Sequence, residues 1–172
     1  SDVYKRQSLE SWLGEGVPVV RAMPNTPALV GAGASAIAGG TSAGDDDLAW
    51  AAAVLGAVGQ VITVPESSLD AVTGLSGSGP AYVFLMLEAL IEGGVLNGLP
   101  RDVAQLLATQ TLVGAGRLVA ETGEDPAALR AAVTSPGGTT AAGLNQLEQA
   151  AVRAAFMDAV TAATRRSQEL VE

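Results

Sequence analysis

The chain has 172 residues and a formal net charge of −9, and it contains neither histidine nor cysteine. These absences exclude disulfides, thiolate catalysis and a Ser-His-Asp triad, and without the commonest metal ligands no metal site is expected. The negative charge disfavours nucleic acid and anionic lipid as partners, whereas a share of charged residues of only 16%, against a typical value of about 25%, favours a homo-oligomer.

The first seven residues differ in composition from the rest of the chain. They include the single lysine, Lys5, together with Tyr4 and Arg6, whereas the remainder is dominated by alanine, glycine, valine and leucine. Residues 1–7 are therefore predicted to be a non-native leader that does not belong to the fold.

Residues 8–66 alternate between helix-like and strand-like runs. Helices are predicted over Ser8–Gly14 and Asp45–Val58, and strands over Val17–Met23, Ala34–Ala38 and Gln60–Val64. Asp45-Asp46-Asp47 suits the first turn of the second helix better than a metal site, and Gly59 suits its end. This alternation indicates an α/β fold, the C-terminal part of a doubly wound dinucleotide-binding sheet. The sequence contains no G-x-G-x-x-G turn, so the phosphate-binding half of such a fold is absent.

Residues 67–172 are predicted to form an all-α domain. Its helices are predicted over Pro80–Leu96, Arg101–Thr122, Asp125–Val133, Thr140–Gln149 and Ala151–Val171. The run Val83–Leu87 is apolar without interruption, so the first of these helices is expected to be buried around its whole circumference. The other four helices can cover only part of it, and we expect the helices of a second subunit to cover the rest.

Neither a membrane anchor nor a secretory leader is visible in the sequence. The longest purely apolar stretch, Pro80–Leu87, is far shorter than the ~20 residues that cross a bilayer. No membrane association is therefore expected, and a cytoplasmic location follows by default.

The first glycine-rich motif is Gly74-Leu-Ser-Gly-Ser-Gly-Pro-Ala-Tyr82. It lacks the Gly-Lys-Ser/Thr ending of a phosphate-binding loop, and it enters an apolar helix instead of following a strand. Because the chain has no histidine and no lysine nearby, the serines of the motif have no base to activate them. The pattern favours a tight helix entry with serine caps and Pro80 in the first turn.

The second motif, Ser135-Pro-Gly-Gly-Thr-Thr140, joins a helix that ends near Thr134 to one that begins near Thr140. Its glycines leave backbone N–H groups unobstructed at a helix N-terminus, where the helix dipole favours an anion such as a carboxylate. An ordinary Pro-Gly turn with threonine caps explains the same residues equally well.

The third motif, Arg21-Ala-Met-Pro-Asn-Thr-Pro27, ends the first predicted strand. Ligands of α/β sheets bind at the carboxyl ends of the strands, so Asn25 and Thr26 lie where a ligand is expected. By itself the motif is only a loop at the carboxyl end of a strand, where a ligand could bind.

Together the three motifs resemble those of pyrroline-5-carboxylate reductases, in Met-Pro-Asn-Thr-Pro, in Asp70 to Tyr82 and in Pro126 to Glu148. The resemblance runs from about Ser8 to the C-terminus and corresponds to the C-terminal two-thirds of such an enzyme. It implies reduction of 1-pyrroline-5-carboxylate to L-proline with NADPH or NADH, the last step of proline biosynthesis. It also implies a helical domain that interlocks with that of a second subunit, as a homodimer or a higher oligomer of dimers. Because the pyrophosphate-binding turn is absent, the chain alone is expected to be inactive.

The resemblance further implies a set of site residues. The implied substrate-binding residues are Glu66, Ser135, Gly137, Gly138, Thr139 and Thr140, with the substrate carboxylate on the loop and Thr140 near the ring nitrogen. Thr140 suits catalysis, because hydride that arrives at the imine carbon leaves electron density on nitrogen, where a donor is needed. Glu66 matches a carboxylate near the substrate, where its charge suits an iminium, although without the resemblance an exposed loop glutamate explains this residue nearly as well. Met23 and Asn25 match part of the cofactor site.

Two other functions compete with this interpretation. β-Hydroxyacid dehydrogenases share the plan of a dinucleotide domain followed by helices, but they depend on a lysine in the helical part, and Lys5 lies in the predicted leader. A non-catalytic helical dimerisation module is favoured by the missing glycine fingerprint and by the small residues of the helices. A glycine-rich strand–turn–helix upstream of Ser8 supports the reductase, whereas a genuine start codon near Ser8 supports the module.

Overall fold

A computed structural model of the protein describes residues 10, 12–14 and 16–170. The predicted leader lies outside the described residues, and of the helix predicted over Ser8–Gly14 only residues 10, 12 and 13 are described as helical. The chain divides into two compact units. One contains the residues up to Ala81 and those from Met157 onward, and the other is Tyr82–Phe156. The domain boundary predicted between residues 66 and 67 stays a prediction.

The first unit contains a three-stranded sheet in the order β1-β2-β3, formed by β1 (Val20–Met23), β2 (Gly33–Gly39) and β3 (Gly59–Thr63). β1 runs antiparallel to β2, with Met23 opposite Ala36, and β2 runs parallel to β3, with Gly33 opposite Gly59. The three predicted strands are confirmed. β1 begins at Val20 and not at the predicted Val17, because Pro18 has no N–H with which to join the ladder.

A helix, α1 (Asp45–Gly56), connects the parallel strands β2 and β3, as a parallel pair requires. Its first turn contains the three aspartates, and Asp47 Oδ2 accepts a hydrogen bond of 2.9 Å from the N–H of Gly44, so the predicted helix start is confirmed. The helix ends before the predicted Val58, in a tight turn that leads into β3. The buried core beside the sheet consists of Ala36, Ala38 and Leu69, with Met23, Val64 and Val72 packed against it.

A helical run begins at Glu66, well before the predicted start at Pro80. It consists of a 3-10 turn over Glu66–Ser68, α2 (Leu69–Val72), a π-helical turn over Thr73–Gly77 and α3 (Gly79–Leu96). The prediction of serine caps at a tight helix entry is therefore wrong. The hydroxyls of Thr73 and Ser76 instead donate to carbonyls four residues earlier in the run, at 2.9 and 3.1 Å.

The four remaining predicted helices are confirmed, and none of their described ends differs from the prediction by more than one residue. They are α4 (Arg101–Thr122), α5 (Pro126–Ala132), α6 (Thr139–Gln149) and α7 (Val152–Leu170). The predicted end of the last helix, Val171, lies outside the described residues. Asp125 caps α5, because its Oδ1 accepts a hydrogen bond of 2.9 Å from the N–H of Ala127. Ala151, with a φ of +52°, separates α6 from α7.

No residue of α3 is buried in the single chain, so the chain itself does not provide the burial expected around this helix. Phe84 and Leu85 are 57% and 67% exposed, and Leu106 of α4 is 69% exposed. By length and composition alone, the helical run Glu66–Leu96 is also long and apolar enough to cross a membrane. A single helix of this kind is only weak evidence for a membrane span, because a helix covered by a partner subunit has the same composition.

Candidate functional site

The loop between α5 and α6 is a tight turn built on two glycines. The N–H of Gly138 donates to the carbonyl of Ser135 at 3.0 Å. Gly137 has a φ of +70°, in the left-handed region where other residues are strained. A Cβ on Gly138 would collide with the hydroxyl of Ser135. Position 137 therefore requires glycine in this conformation, whereas a side chain at Gly138 would require the Ser135 hydroxyl to move.

The first amides of α6 are available at the end of this loop. The N–H of Ala142 is the first to bond back to the carbonyl of Gly138, at 3.1 Å, so the N–H groups of residues 139–141 have no acceptor within the helix. Thr139 and Thr140 are both exposed, and neither hydroxyl has a hydrogen-bond partner in the part of the chain that the structure describes. The predicted alternative of threonine caps is not observed. The turn instead offers amide and hydroxyl donors to an anion at the positive end of the helix dipole.

The other end of α6 has a charge pair of its own. Arg153 Nη2 donates a hydrogen bond of 2.6 Å to Glu148 Oε1. This hydrogen bond and the charge of Arg153 lower the pKa of Glu148 below its usual value, with a smaller contribution from Arg130. The helix separates the pair from the loop by roughly 15 Å. The carboxylate of Glu148 therefore does not compete with an anion at the loop.

In the first unit, Met23 and Asn25 lie at the carboxyl end of β1, against the π-helical turn. Asn25 Nδ2 donates to the carbonyl of Ser76 at 3.1 Å, and Asn25 Oδ1 accepts from the N–H of Ala34 at 2.8 Å. A Cβ on Gly77 would lie only 2.6 Å from Met23 Cε. The first and third motifs of the sequence are thus brought together, which their spacing does not predict.

A cavity of about 400 Å³ opens beside this contact. Its lining residues are Pro24, Asn25, Thr26, Ala28, Leu29 and Gly77. Apolar groups dominate the lining, and Leu29, which is 90% exposed, stands in contact with solvent. A largely apolar surface with few polar groups suits a flat ring that carries one polar substituent.

Glu66, at the start of the helical run, pairs with a strand residue. Arg21 Nη1 lies 3.6 Å from Glu66 Oε1, and the two side chains are only 16% and 22% exposed. Arg21 belongs to the third motif, but the sequence alone does not mark it as a site residue. A basic residue in a strand that ends at a ligand-binding edge is the signal that could have found it. Among the described residues, no three or more carboxylates are placed so that they could hold a metal ion.

Comparison with known proteins identifies the family. Residues 66–170 match the model of a family described as pyrroline-5-carboxylate reductase dimerisation. The chain belongs to this family. It is 59% identical over 152 residues to a pyrroline-5-carboxylate reductase from Synechocystis sp., covering 88% of this chain and 57% of that protein. A pyrroline-5-carboxylate reductase from Arabidopsis thaliana is 52% identical over 166 residues, covering 96% of this chain and 60% of that protein.

Solved structures of pyrroline-5-carboxylate reductases have the same fold. The enzyme from Coxiella burnetii superposes with a TM-score of 0.95 at 42% identity, covering 98% of this chain and 63% of that one. The Plasmodium falciparum enzyme with NADP bound gives a TM-score of 0.89 at 34% identity, covering 97% of this chain and 67% of that one. The resemblance seen in the three motifs and the helical dimerisation domain are confirmed. The chain spans less than two-thirds of the length of the Synechocystis and Arabidopsis proteins.

Proposed function

We propose that the chain is the larger part of an NADPH- or NADH-dependent pyrroline-5-carboxylate reductase, which reduces 1-pyrroline-5-carboxylate to L-proline in the last step of proline biosynthesis. Family membership supports this function over that of a β-hydroxyacid dehydrogenase. The structural observation that carries the proposal is the loop Ser135–Thr140, whose free amides and hydroxyls suit a small carboxylate.

The loop and Glu66 are proposed to hold the substrate. The amides at the start of α6, together with Ser135, Gly137, Gly138 and Thr139, bind the substrate carboxylate and so fix the orientation of the ring. The hydroxyl of Thr140 donates a hydrogen bond to the ring nitrogen and stabilises the electron density that arrives there. Glu66, held by Arg21, supplies the negative charge that balances an iminium.

Met23 and Asn25 are proposed to form the part of the cofactor site that this chain contains. The bound nicotinamide supplies the hydride. The largely apolar lining of the cavity beside Asn25 suits the polarity of the nicotinamide ring. The sequence contains no glycine-rich G-x-G-x-x-G turn for the pyrophosphate, so those contacts must come from residues outside it.

The assembly and the complete fold are also proposals. The parallel crossover from β2 through α1 to β3 supports a doubly wound dinucleotide-binding sheet of which this sheet is a part. The family description and the exposed apolar side chains of α3 and α4 support a homodimer, alone or within a higher oligomer of dimers. A net charge of −9 supports the absence of nucleic acid and anionic membranes as partners, and the cytoplasmic location stays a prediction.

The test of the function is Thr140→Val in a full-length form, in which the upstream part of the Synechocystis protein precedes this chain. Valine keeps the shape of threonine but removes the donor, so kcat/KM should fall roughly 10- to 1000-fold. Thr161→Val is the matched control, because the Thr161 hydroxyl only donates to the carbonyl of Met157 in its own helix, at 2.8 Å.

The possible outcomes distinguish a wrong role for Thr140 from a wrong function for the protein. An unchanged rate in Thr140→Val would show that Thr140 only contributes to the first turn of α6. A full-length parent without turnover on pyrroline-5-carboxylate would refute the proposed function and favour the non-catalytic dimerisation module.

A further inference from the structure

One side chain in the first unit ties three segments together. Asn25 follows β1, its Oδ1 accepts from the N–H of Ala34 at the start of β2, and its Nδ2 donates to the carbonyl of Ser76 in the π-helical turn. Asn25 and Ser76 are 51 residues apart in the chain. Backbone groups of two other segments form hydrogen bonds to the two ends of this carboxamide. The side chain therefore joins β2 and the π-helical turn to the end of β1.

The π-helical turn is the element that this connection holds. Such turns are rare and occur often at functional sites. Within it the N–H of Ser78 donates to the carbonyl of Thr73, five residues back, at 2.8 Å. Gly77, next to Ser76, lies against Met23 and lines the cavity beside Asn25. A shift of the Ser76 carbonyl would therefore move one wall of this cavity.

We propose that Asn25 is a positioning residue, which fixes the π-helical turn so that Gly77 and Met23 shape the cavity. Its contribution to the cofactor site is made through these two neighbours and not through a hydrogen bond from its own carboxamide. The part of the inference that concerns turnover rests on the proposed reductase function. The part that concerns the turn does not.

Hydrogen exchange on the chain tests the turn, with Ala34 and Ser78 as the reporter amides. Asn25→Ala removes both hydrogen bonds, so both amides should exchange roughly 10-fold faster. Asn25→Asp keeps the acceptor for Ala34, but an ionised carboxylate cannot donate to Ser76. At neutral pH only the amide of Ser78 should then exchange faster than in the parent.

Lowering the pH should reverse the effect of Asn25→Asp. A protonated carboxyl group has an O–H that can donate to the Ser76 carbonyl, and this hydrogen bond together with partial burial raises the pKa of the introduced acid above its ordinary value. Between about pH 7 and pH 4 the exchange of Ser78 should return to that of the parent at the same pH. Neither a direct cofactor contact nor simple packing predicts such a recovery.

Turnover in the full-length form tests the consequence for the site. Asn25→Ala should lower kcat roughly 10-fold and leave the KM for the nucleotide within about 2-fold, whereas loss of a direct ligand would raise KM and spare kcat. Asn97→Ala is the control, because Asn97 Nδ2 also donates to a backbone carbonyl, that of Gly93, at 2.8 Å, but Asn97 does not line the cavity.

Each result has a definite meaning. Unchanged exchange at Ser78 in both Asn25 variants, or an effect on KM alone, would overturn the positioning role. A full-length parent without turnover would refute the proposed function and leave the exchange result standing.

Discussion

Gly74→Ala tests how closely the π-helical turn packs on α7. A Cβ at Gly74 would meet the hydroxyl of Thr164 and would lie 2.7 Å from the carbonyl oxygen of Val160 and 3.0 Å from the nitrogen of Thr164. Two of these three atoms are backbone atoms of α7, so no side-chain rotation relieves the contact. Overpacking of this kind costs about 1–3 kcal/mol, and the better helix propensity of alanine offsets up to ~1 kcal/mol. With a cost and an offset from the middle of these ranges, the free energy of unfolding should fall by about 1–2 kcal/mol.

Urea unfolding followed by circular dichroism measures this change against a matched control. Gly56, the last residue of α1, has no atom within 4 Å of the position that a Cβ would take, so Gly56→Ala should be neutral or stabilising by up to ~1 kcal/mol. The thermal midpoint of Gly74→Ala should lie roughly 2–8 °C below that of the parent. If the two variants were equally stable, the argument from the close crossing would be refuted.

Three further predictions concern stability and assembly. Ser167, which is 8% exposed, donates to Asp70 Oδ1 at 2.7 Å, so Ser167→Ala should lower the free energy of unfolding by about 1–3 kcal/mol, and unchanged stability in urea would contradict this. Arg153→Gln should slightly lower the free energy of unfolding, because it removes the partner that lowers the pKa of Glu148. This loss should be seen above pH 4.5, the usual value, and vanish as the pH falls through the lowered pKa, so a loss that persists in strong acid would argue against the pair. For an obligate homodimer the thermal midpoint should rise with protein concentration, and a constant midpoint across a hundredfold range would count against it.

The helices after residue 100 can be predicted almost to the residue, because their ends carry strong local signals. Asp125 precedes Pro126 and caps α5, and Gly123 ends α4 with a φ of +66°. Signals of this kind act within a few residues of the chain. The sequence therefore predicts these helices without knowledge of what they pack against.

The helical run before Pro80 is not predictable in the same way. Its π-helical turn depends on Asn25, which bonds to Ser76, and on Gly74, which lies against α7. These contacts join residues far apart in the chain, and the local pattern of glycines and serines indicates a loop. The same limit applies to the pairing of Arg21 with Glu66, because only the fold brings the strand beside the start of the run.

The loop Ser135–Thr140 is only partly predictable from the sequence. Its sequence fits both an anion site and an ordinary turn capped by threonine, and the two differ only in what the threonine hydroxyls bond to. In the structure Gly138 occupies the N-cap position and no side chain caps the helix. The threonine hydroxyls, whose oxygens would accept backbone N–H groups in a cap, are thereby left available to donate to a ligand, which a pattern of residue types cannot reveal.

We propose that helices of a second copy, and not lipid, cover the exposed apolar side chains of α3 and α4. α3 exposes Phe84 and Leu85 but also carries the exposed Glu88, and a carboxylate at the centre of a bilayer costs several kcal/mol. α4 exposes Leu106 on a helix that also contains Arg117, so it is too polar to follow α3 into hydrocarbon. Helices of a second copy can cover the apolar side chains of both while the charged groups stay at the wet rim of the interface. Association with a second copy then accounts for the exposed apolar side chains of both helices, whereas membrane insertion of α3 would account only for those of α3.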